Sequence, residues 1–152
     1  MRRSLLIASF ALLPTALMAK GDVVLSLKEE GGGITIGIES NSIYNSTIEL
    51  PIVIAPSVQD KGVSLGFVGA NGKRYSLCAQ IDYSDIPRRS TLHFQHKISV
   101  HETFGNLKKL YCLSPGRYVV HGSYKGVYLD GELSLVESND LNIDIEREKP
   151  GS

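Results

Sequence analysis

The chain has no tryptophan, and it lacks any cluster of charge of one sign among its 152 residues. A surface that binds nucleic acid needs grouped Lys and Arg side chains to displace the counterions around phosphates. Basic residues occur here at most in pairs, such as Lys73-Arg74, Arg88-Arg89 and Lys108-Lys109. The charge pattern therefore argues against nucleic acid as a partner.

Long apolar runs are also missing, apart from one at the N-terminus. Ser4 to Met18 form an apolar run of 15 residues, which is shorter than the roughly 20 that a membrane-spanning helix needs. Arg2 and Arg3 precede the run, and the small Ala19 ends it. This arrangement is typical of a secretory signal peptide cleaved after residue 19. We therefore expect a bacterial protein that is periplasmic or secreted and has no stable membrane anchor.

Removal of the predicted signal peptide, residues 1–19, leaves about 133 residues. That length suits one domain with a single hydrophobic core. We assign residues 20–146 to this domain and residues 147–152 to a polar C-terminal tail. Loss of Arg2 and Arg3 leaves 14 basic residues against 16 acidic residues, so the mature chain is close to neutral.

Cysteine is scarce, since Cys78 and Cys112 are the only two. In an exported protein, two thiols are expected to form a disulfide bond rather than to bind metal. Alternatively, each is a small buried apolar residue, which the position of Cys112 between Tyr111 and Leu113 fits better. Because Cys78 lies on the polar face of a predicted strand, we expect any disulfide at the periphery of the domain.

Apolar residues recur at every second position through most of the mature chain, which predicts strands with one buried face. Gly31-Gly32-Gly33 and Asn71-Gly72 interrupt the alternation and predict hairpin turns. No window shows the helical spacing of apolar residues over three turns. We predict an all-β domain of about eight to ten short strands in two packed sheets. The predicted strands are Val23–Leu27, Ile34–Ile38, Ile48–Ile54, Val63–Phe67, Tyr75–Ile81, Leu92–Val100, Leu107–Leu113, Arg117–Lys125, Val127–Leu135 and Leu141–Ile145.

Two residues are candidates for a protein interface. Pro51 points away from the apolar face of its predicted strand and cannot donate a backbone hydrogen bond, so it predicts a sheet edge or a bulge. An exposed edge can accept a strand from another protein. Tyr128 alternates with Val127 and Leu129 and is expected to be exposed, as suits a tyrosine at an interface.

One local motif carries a resemblance to known folds. Residues 113–120, Leu-Ser-Pro-Gly-Arg-Tyr-Val-Val, resemble the Leu-x-Pro-x-x-Tyr-x-Val signature of the tyrosine corner in immunoglobulin-like and fibronectin type III-like sandwiches. The resemblance implies that Tyr118 begins a strand after a turn that contains Pro115 and Gly116. It also implies a hydrogen bond from the Tyr118 hydroxyl to the backbone a few residues upstream. These roles are structural, and the motif implies no activity.

The chain departs from antibody domains at two points. It has no tryptophan to pack on a disulfide bond, and no cysteine follows Tyr118 by two residues. The resemblance therefore extends to the sandwich architecture and not to the immunoglobulin disulfide.

Two patterns suggest catalysis, and each has a simpler structural explanation. Gly62-Val63-Ser64-Leu65-Gly66 matches the Gly-x-Ser-x-Gly pattern of serine hydrolases. The pattern continues as a predicted strand with no helix after it, so we interpret Ser64 as a surface residue. Asp130 and Glu132 share a polar strand face, as glycosidase carboxylates can, but any solvated strand shows this spacing. We predict no catalytic residue.

The four histidines raise the question of a metal site. His93 and His101 share a face of a predicted strand but lie about 26 Å apart at roughly 3.3 Å per residue. His96 points to the opposite, apolar face and is interpreted as a core histidine, while His93 and His101 are interpreted as exposed. A zinc site would need a partner on another strand, such as His121, and a carboxylate. We therefore predict no metal and no cofactor.

Three classes of function remain open. The first is an exported, non-catalytic module that binds an extracytoplasmic protein, such as an inhibitor, an immunity protein or an accessory subunit. The second is a structural or adhesive subunit that exchanges strands with its neighbours, although residues 147–152 lack the aromatic-ended strand of pilins. The third is an enzyme or metal-binding protein that uses His93, His101 or His121. The predicted edge near Pro51 favours the first class, and the sequence leaves the oligomeric state open.

Overall fold

The computed structural model describes residues 23–41, 46–50, 52–54, 62–79, 88–129 and 132–146. These residues form mostly strands, in two antiparallel sheets that pack together, as the sequence predicts. The predicted signal peptide and the tail lie outside the described residues. The elements are β1 (Val23–Glu30), β2 (Gly33–Ser40), β3 (Ser46–Leu50), β4 (Val63–Gly69), β5 (Arg74–Tyr75), β6 (Arg88–Leu92), β7 (Lys97–Thr103), α1 (Phe104–Tyr111), β8 (Gly116–Leu129), β9 (Glu132–Glu137) and β10 (Leu141–Ile145).

The smaller sheet has the strand order β1-β2-β7. β1 and β2 form the predicted hairpin, in which Gly31 and Gly32 have φ values of 56° and 73°. A two-residue turn of this hand matches the twist of the strands and requires positive φ at both positions, which glycine adopts without steric cost. The inward residues of β2, Ile34, Ile36 and Ile38, are fully buried.

The larger sheet is built around the 14-residue β8, in the order β5-β4-β8-β3-β6. β9 and β10 also pair with β8. Because a strand has two edges, the registers place β4 and β3 along one edge of β8 and β10 and β9 along the other. The expected strand Arg117–Lys125 and residues 127–129 therefore belong to one strand, β8, with a register shift between Tyr124 and Val127. The expected strand Val127–Leu135 is wrong beyond Leu129, because residues 132–135 belong to β9, which pairs back on β8.

The core lies between the two sheets and follows the predicted alternation. Val63, Leu65 and Phe67 of β4 are buried, as are Tyr118 and Tyr124 of β8. The Asn71-Gly72 turn connects β4 to β5. β5 has only two residues, so the predicted strand Tyr75–Ile81 is wrong over residues 76–79, which form no strand.

Residues Phe104–Tyr111 form a helix, so the predicted strand Leu107–Leu113 is wrong. Thr103 caps the helix by accepting a hydrogen bond from the Asn106 N–H at 3.3 Å. Leu107 and Tyr111, four residues apart, bury one face of α1 against the core. The helix has eight residues, which is too few for the helical spacing of apolar residues to recur over three turns.

The predicted strand Leu92–Val100 is also wrong, because it is two strands that belong to different sheets. β6 ends at Leu92, and residues 93–96 form a turn in which Gln95 has a φ of 57°. His96 is exposed in this turn, so its interpretation as a core histidine is wrong. Residues 93–96 contain no Gly or Pro, so the sequence carries no turn signal here.

Candidate functional site

β7 forms an outer edge of the smaller sheet. It pairs with β2 from Gly33 opposite Thr103 to Glu39 opposite Lys97. Among the described strands, none pairs with its other side. We call that side of Lys97–Thr103 the β7 edge.

Two backbone hydrogen bonds determine which groups point towards this edge. The Phe104 N–H donates to the Gly32 carbonyl at 2.9 Å, and the Ser40 N–H donates to the His96 carbonyl at 3.2 Å. Hydrogen-bonded pairs alternate along an antiparallel ladder. The backbone N–H and C=O groups of the even-numbered residues of β7 between these two bonds therefore also point towards β2. The residues that turn both their N–H and C=O groups outward are Lys97, Ser99 and His101.

The β7 edge also carries apolar side chains that are only partly covered. Ile98 and Val100 are half-buried, whereas their partners on β2, Ile38 and Ile36, are fully buried. The side chains of Ile98 and Val100 pack against the margin of the core. Outward backbone groups beside partly exposed aliphatic side chains are the features with which a sheet accepts an additional strand.

The opposite edge of the smaller sheet is blocked at Leu27. Asn139, in the loop between β9 and β10, accepts a hydrogen bond from the Leu27 N–H at 2.9 Å. Its Nδ2 donates to the Leu27 carbonyl at 3.1 Å. A side-chain amide can use its acceptor and donor together, as a neighbouring strand would. Asn139 therefore closes the β1 edge at Leu27 and ties β1 to the larger sheet.

The sequence places the edge on a different strand. Pro51 lies outside the described residues, but β3, which ends just before it, is paired with β6 along Ser46–Leu50 and with β8 at Thr47 and Ile48. β3 therefore lies between β8 and β6 at Thr47 and Ile48, whereas the sheet edge expected at Pro51 itself stays a prediction. A proline shows only that one residue donates no backbone hydrogen bond to a neighbouring strand. It does not show which strands lie on either side. The alternative of a bulge at Pro51 stays a prediction.

Tyr128, the second predicted interface residue, lies on β8 opposite Thr47 of β3 and Leu133 of β9. The position of its side chain lies outside the described part of the structure. Its role at an interface stays a prediction.

The histidines do not converge. His93 follows β6 of the larger sheet, whereas His101 lies on β7 of the smaller sheet, so the shared strand face expected from the sequence is wrong. Both are exposed, as predicted. The Nδ1 atom of His101 lies 3.2 Å from Thr35 Oγ1, which donates to Glu30 at 3.4 Å. Within the described residues, no three His, Cys, Asp or Glu side chains are arranged to hold a metal ion.

His121 lies between two carboxylates on the outer face of the larger sheet. Its Nδ1 atom is 3.1 Å from Asp140 Oδ1, and its Nε2 atom is 3.8 Å from Glu137 Oε1. These three side chains are not arranged as a group that could hold a metal ion. All three side chains are substantially exposed, so these contacts contribute little to stability.

The serine hydrolase pattern has no catalytic geometry. Ser64 lies within β4, opposite Ser123 of β8, and β4 continues to Gly69 without the strand-to-helix turn that exposes a nucleophile. Asp130 and the side chain of Glu132 lie outside the described residues, so the pair of carboxylates stays untested.

Tyr118 makes the hydrogen bond that the tyrosine corner implies. Its hydroxyl donates to the Ser114 carbonyl at 2.6 Å, and its ring packs edge-on against Tyr75 with centroids 5.5 Å apart. Gly116 has a φ of 153°, which residues with side chains rarely adopt. Burial raises the pKa of the Tyr118 hydroxyl above its ordinary value of 10.0, and the charge of an ionised Tyr75 raises this pKa further. Tyr118 therefore holds the turn from Ser114 to the start of β8.

Cys78 and Cys112 form the predicted disulfide bond, with α-carbons 6.0 Å apart. Both residues are exposed, which confirms a position at the periphery. The bond joins the segment after β5 to the end of α1, where the N–H groups of Cys78 and Ala79 both donate to the Leu110 carbonyl. It therefore fastens the helix to the larger sheet.

Together, the fold and the site define a disulfide-bonded β protein of two packed sheets, in which β7 has one side that no described strand pairs with. No protein-family model matches the chain, and no curated protein matches it. Among the described residues, no helix is long and apolar enough to cross a membrane.

Proposed function

We propose that this protein is an exported, non-catalytic module that binds an extracytoplasmic protein by accepting one of its strands at the β7 edge. The observation that carries the proposal is the outward row of backbone groups on Lys97, Ser99 and His101 beside half-buried Ile98 and Val100. In such complexes, main-chain hydrogen bonds supply affinity and the alternating side chains supply specificity.

The side chains of β7 indicate what the added strand carries. On its inward face it presents aliphatic residues, which complete the cover of Ile98 and Val100. On its outward face it carries an acidic residue opposite Lys97, whose side chain is exposed there. The disulfide supports export, since such bonds persist mainly in oxidising compartments.

A proline at residue 99 tests the proposal. The Ser99 N–H points to the β7 edge, so Ser99→Pro removes a donor from the edge while leaving the hydrogen bonds between β7 and β2 in place. Ser99→Ala is the matched control, because it keeps the N–H and loses only the hydroxyl. Both variants and the wild type are compared as tagged mature domains in pull-downs from periplasmic extract, with circular dichroism to confirm folding.

We expect the wild type and Ser99→Ala to capture the same specific protein, and Ser99→Pro to bind it about tenfold more weakly, as the loss of one hydrogen bond and some strand contact implies. Equal capture by a folded Ser99→Pro variant would show that the partner does not use this edge. Failure to recover any specific protein under several growth conditions would count against a binding module altogether.

A further inference from the structure

We infer that Asn71 is a modification site, at which spontaneous deamidation is controlled by the opening of the β4–β5 hairpin. Asn71-Gly72 is the single Asn-Gly pair in the sequence, and it lies in the exposed turn that connects the two strands. Glycine has no side chain to shield its backbone nitrogen, so an asparagine that precedes glycine is especially reactive. The chemistry needs no enzyme, and water is its only co-reactant.

The reaction has a cyclisation step and a hydrolysis step. The backbone nitrogen of Gly72 attacks the side-chain carbonyl carbon of Asn71, which forms a C–N bond and closes a cyclic imide. The side-chain nitrogen of Asn71 leaves as ammonia and takes the proton of the Gly72 N–H with it. Water then adds to either imide carbonyl and breaks one C–N bond, which yields aspartate or isoaspartate.

Two hydrogen bonds keep the reacting groups apart in the folded turn. The Gly72 N–H donates to the Gly69 carbonyl at 2.8 Å, so the attacking nitrogen is engaged within the turn. The Asn71 Oδ1 atom accepts a hydrogen bond from the Lys73 N–H at 3.0 Å, which is the arrangement of an Asx turn. Attack requires Gly72 to lose its partner and the Asn71 side chain to rotate away from Lys73. The fold therefore protects a residue whose sequence context is reactive.

The hairpin that carries this turn is joined to the sheet by few contacts. The Gly69 N–H donates to the Lys73 carbonyl at 2.9 Å. β5 is the last strand in the order of its sheet and contributes only two residues, which pair with Phe67 and Val68. Short elements with exposed backbone hydrogen bonds open more readily than the core does. Deamidation therefore proceeds through molecules in which the hairpin is open, at a rate proportional to the open fraction.

The product alters the contacts around Tyr75. Lys73 Nζ lies 4.9 Å from the centre of the Tyr75 ring, and Tyr75 packs edge-on against Tyr118. A carboxylate at residue 71 attracts the Lys73 ammonium, and isoaspartate also lengthens the backbone of the turn by a methylene group. Because turn length sets the register of a hairpin, isoaspartate loosens Tyr75 from the tyrosine corner, whereas aspartate keeps the native turn length.

Ageing of the mature protein at mildly alkaline pH tests the inference, with residue 71 followed by peptide mapping and mass spectrometry. The folded protein is compared with the same protein in concentrated urea, with the Cys78–Cys112 bond intact in both. We expect the folded protein to deamidate about thirtyfold more slowly, the factor to which two hydrogen bonds of ordinary net strength correspond. Asn142, which precedes the β-branched Ile143, is the internal control and should stay unmodified in both.

Gly69→Ala tests the protecting hydrogen bond directly. A methyl group at residue 69 would lie 3.0 Å from Asn71 Oδ1, so the Asn71 side chain has to move from its place beside the Lys73 N–H. Gly66→Ala is the matched control, because it adds the same group to the same strand with the nearest atom 3.9 Å away. Neither glycine has a positive φ, so alanine is compatible with the backbone at both positions.

We expect folded Gly69→Ala to deamidate about fivefold faster than the wild type, because one of the two hydrogen bonds is lost. Gly66→Ala should match the wild type, and in urea all three proteins should react at the same rate. Circular dichroism confirms that both variants fold.

Equal rates for the folded and the unfolded wild type would overturn the inference, because the turn would then give no protection. An unfolded chain in which Asn71 stays intact would also overturn it, as would a folded Gly69→Ala variant that reacts no faster than Gly66→Ala. The isoaspartate form, separated by chromatography, is compared with Asn71→Asp in urea unfolding. We expect a lower midpoint for the isoaspartate form alone, and equal midpoints would contradict the loosening of Tyr75.

Discussion

The Tyr118 hydroxyl can donate to the Ser114 carbonyl only while it carries its proton. Burial raises the pKa of this hydroxyl above 10.0 in the folded state, so the folded protein holds the proton more tightly than the unfolded chain. This contribution to stability is complete below about pH 10 and is lost as the pH rises through the higher folded pKa. Alkaline pH therefore weakens the corner at the start of β8.

Tyr118→Phe removes the hydroxyl, and with it both the hydrogen bond to Ser114 and the group that titrates at alkaline pH. At neutral pH we expect it to lower the free energy of unfolding by about 1 kcal/mol, the usual net value of such a bond. Above about pH 10 the wild type should lose stability more steeply than the variant, so the two curves converge. Urea unfolding over a range of pH measures this, and a constant difference at every pH would contradict the coupling.

At the scale of elements, Asn139 connects the two sheets. It makes two hydrogen bonds to the backbone of Leu27, although the two residues lie 112 positions apart in the chain. β1 and the β9–β10 loop are therefore held together by one side chain in addition to the apolar core.

We expect Asn139→Ala to lower the free energy of unfolding by about 1–3 kcal/mol, because both backbone groups of Leu27 lose their partner. Asn142→Ala, a change at an exposed residue of β10, is the control and should stay within about 0.5 kcal/mol of the wild type. Urea unfolding measures the stability of each, and amide hydrogen exchange at Leu27 should accelerate in Asn139→Ala alone. Unchanged exchange at Leu27 would show that Asn139 does not hold this edge.

The elements that local sequence predicts well are those with a long pattern or a specific turn. The β1–β2 hairpin was predicted because three alternating isoleucines follow a glycine turn, and Tyr118 because its motif spans eight consecutive residues. α1 was missed because eight residues with Leu107 and Tyr111 buried give too short a helical pattern. The turn at residues 93–96 was missed because tertiary contacts, rather than Gly or Pro, impose it.

At the scale of the whole molecule, the Cys78–Cys112 bond joins two residues that lie 34 positions apart in the chain and so closes a loop. Cross-linking a loop of this length lowers the entropy of the unfolded chain, with an expected contribution of about 3–4 kcal/mol. For a domain of this size that is a substantial share of the total stability.

Replacement of both cysteines by serine should therefore lower the free energy of unfolding by about 3–4 kcal/mol. The two-sheet core does not contain the exposed bond, so the circular dichroism spectrum should remain that of a β protein. Reduction of the wild type provides the control, because it breaks the same bond without changing the sequence. A double variant as stable as the oxidised wild type would show that the bond constrains little.

In β1, β2 and β4 the sequence by itself determined which side chains face the core, because side-chain direction in a strand alternates with a period of two whatever lies beside it. It also determined the two glycine-containing hairpin turns and the tyrosine corner, whose contacts lie within a few residues of each other in the chain.

Only the tertiary structure decided which strands are neighbours, and therefore that β3 is internal and β7 forms the open edge. The physical reason is that strand pairing depends on contacts between residues far apart in the chain, such as Ile36 with Val100. The local alternation of apolar residues is the same in an edge strand and in a central one, so it carries no information about either position.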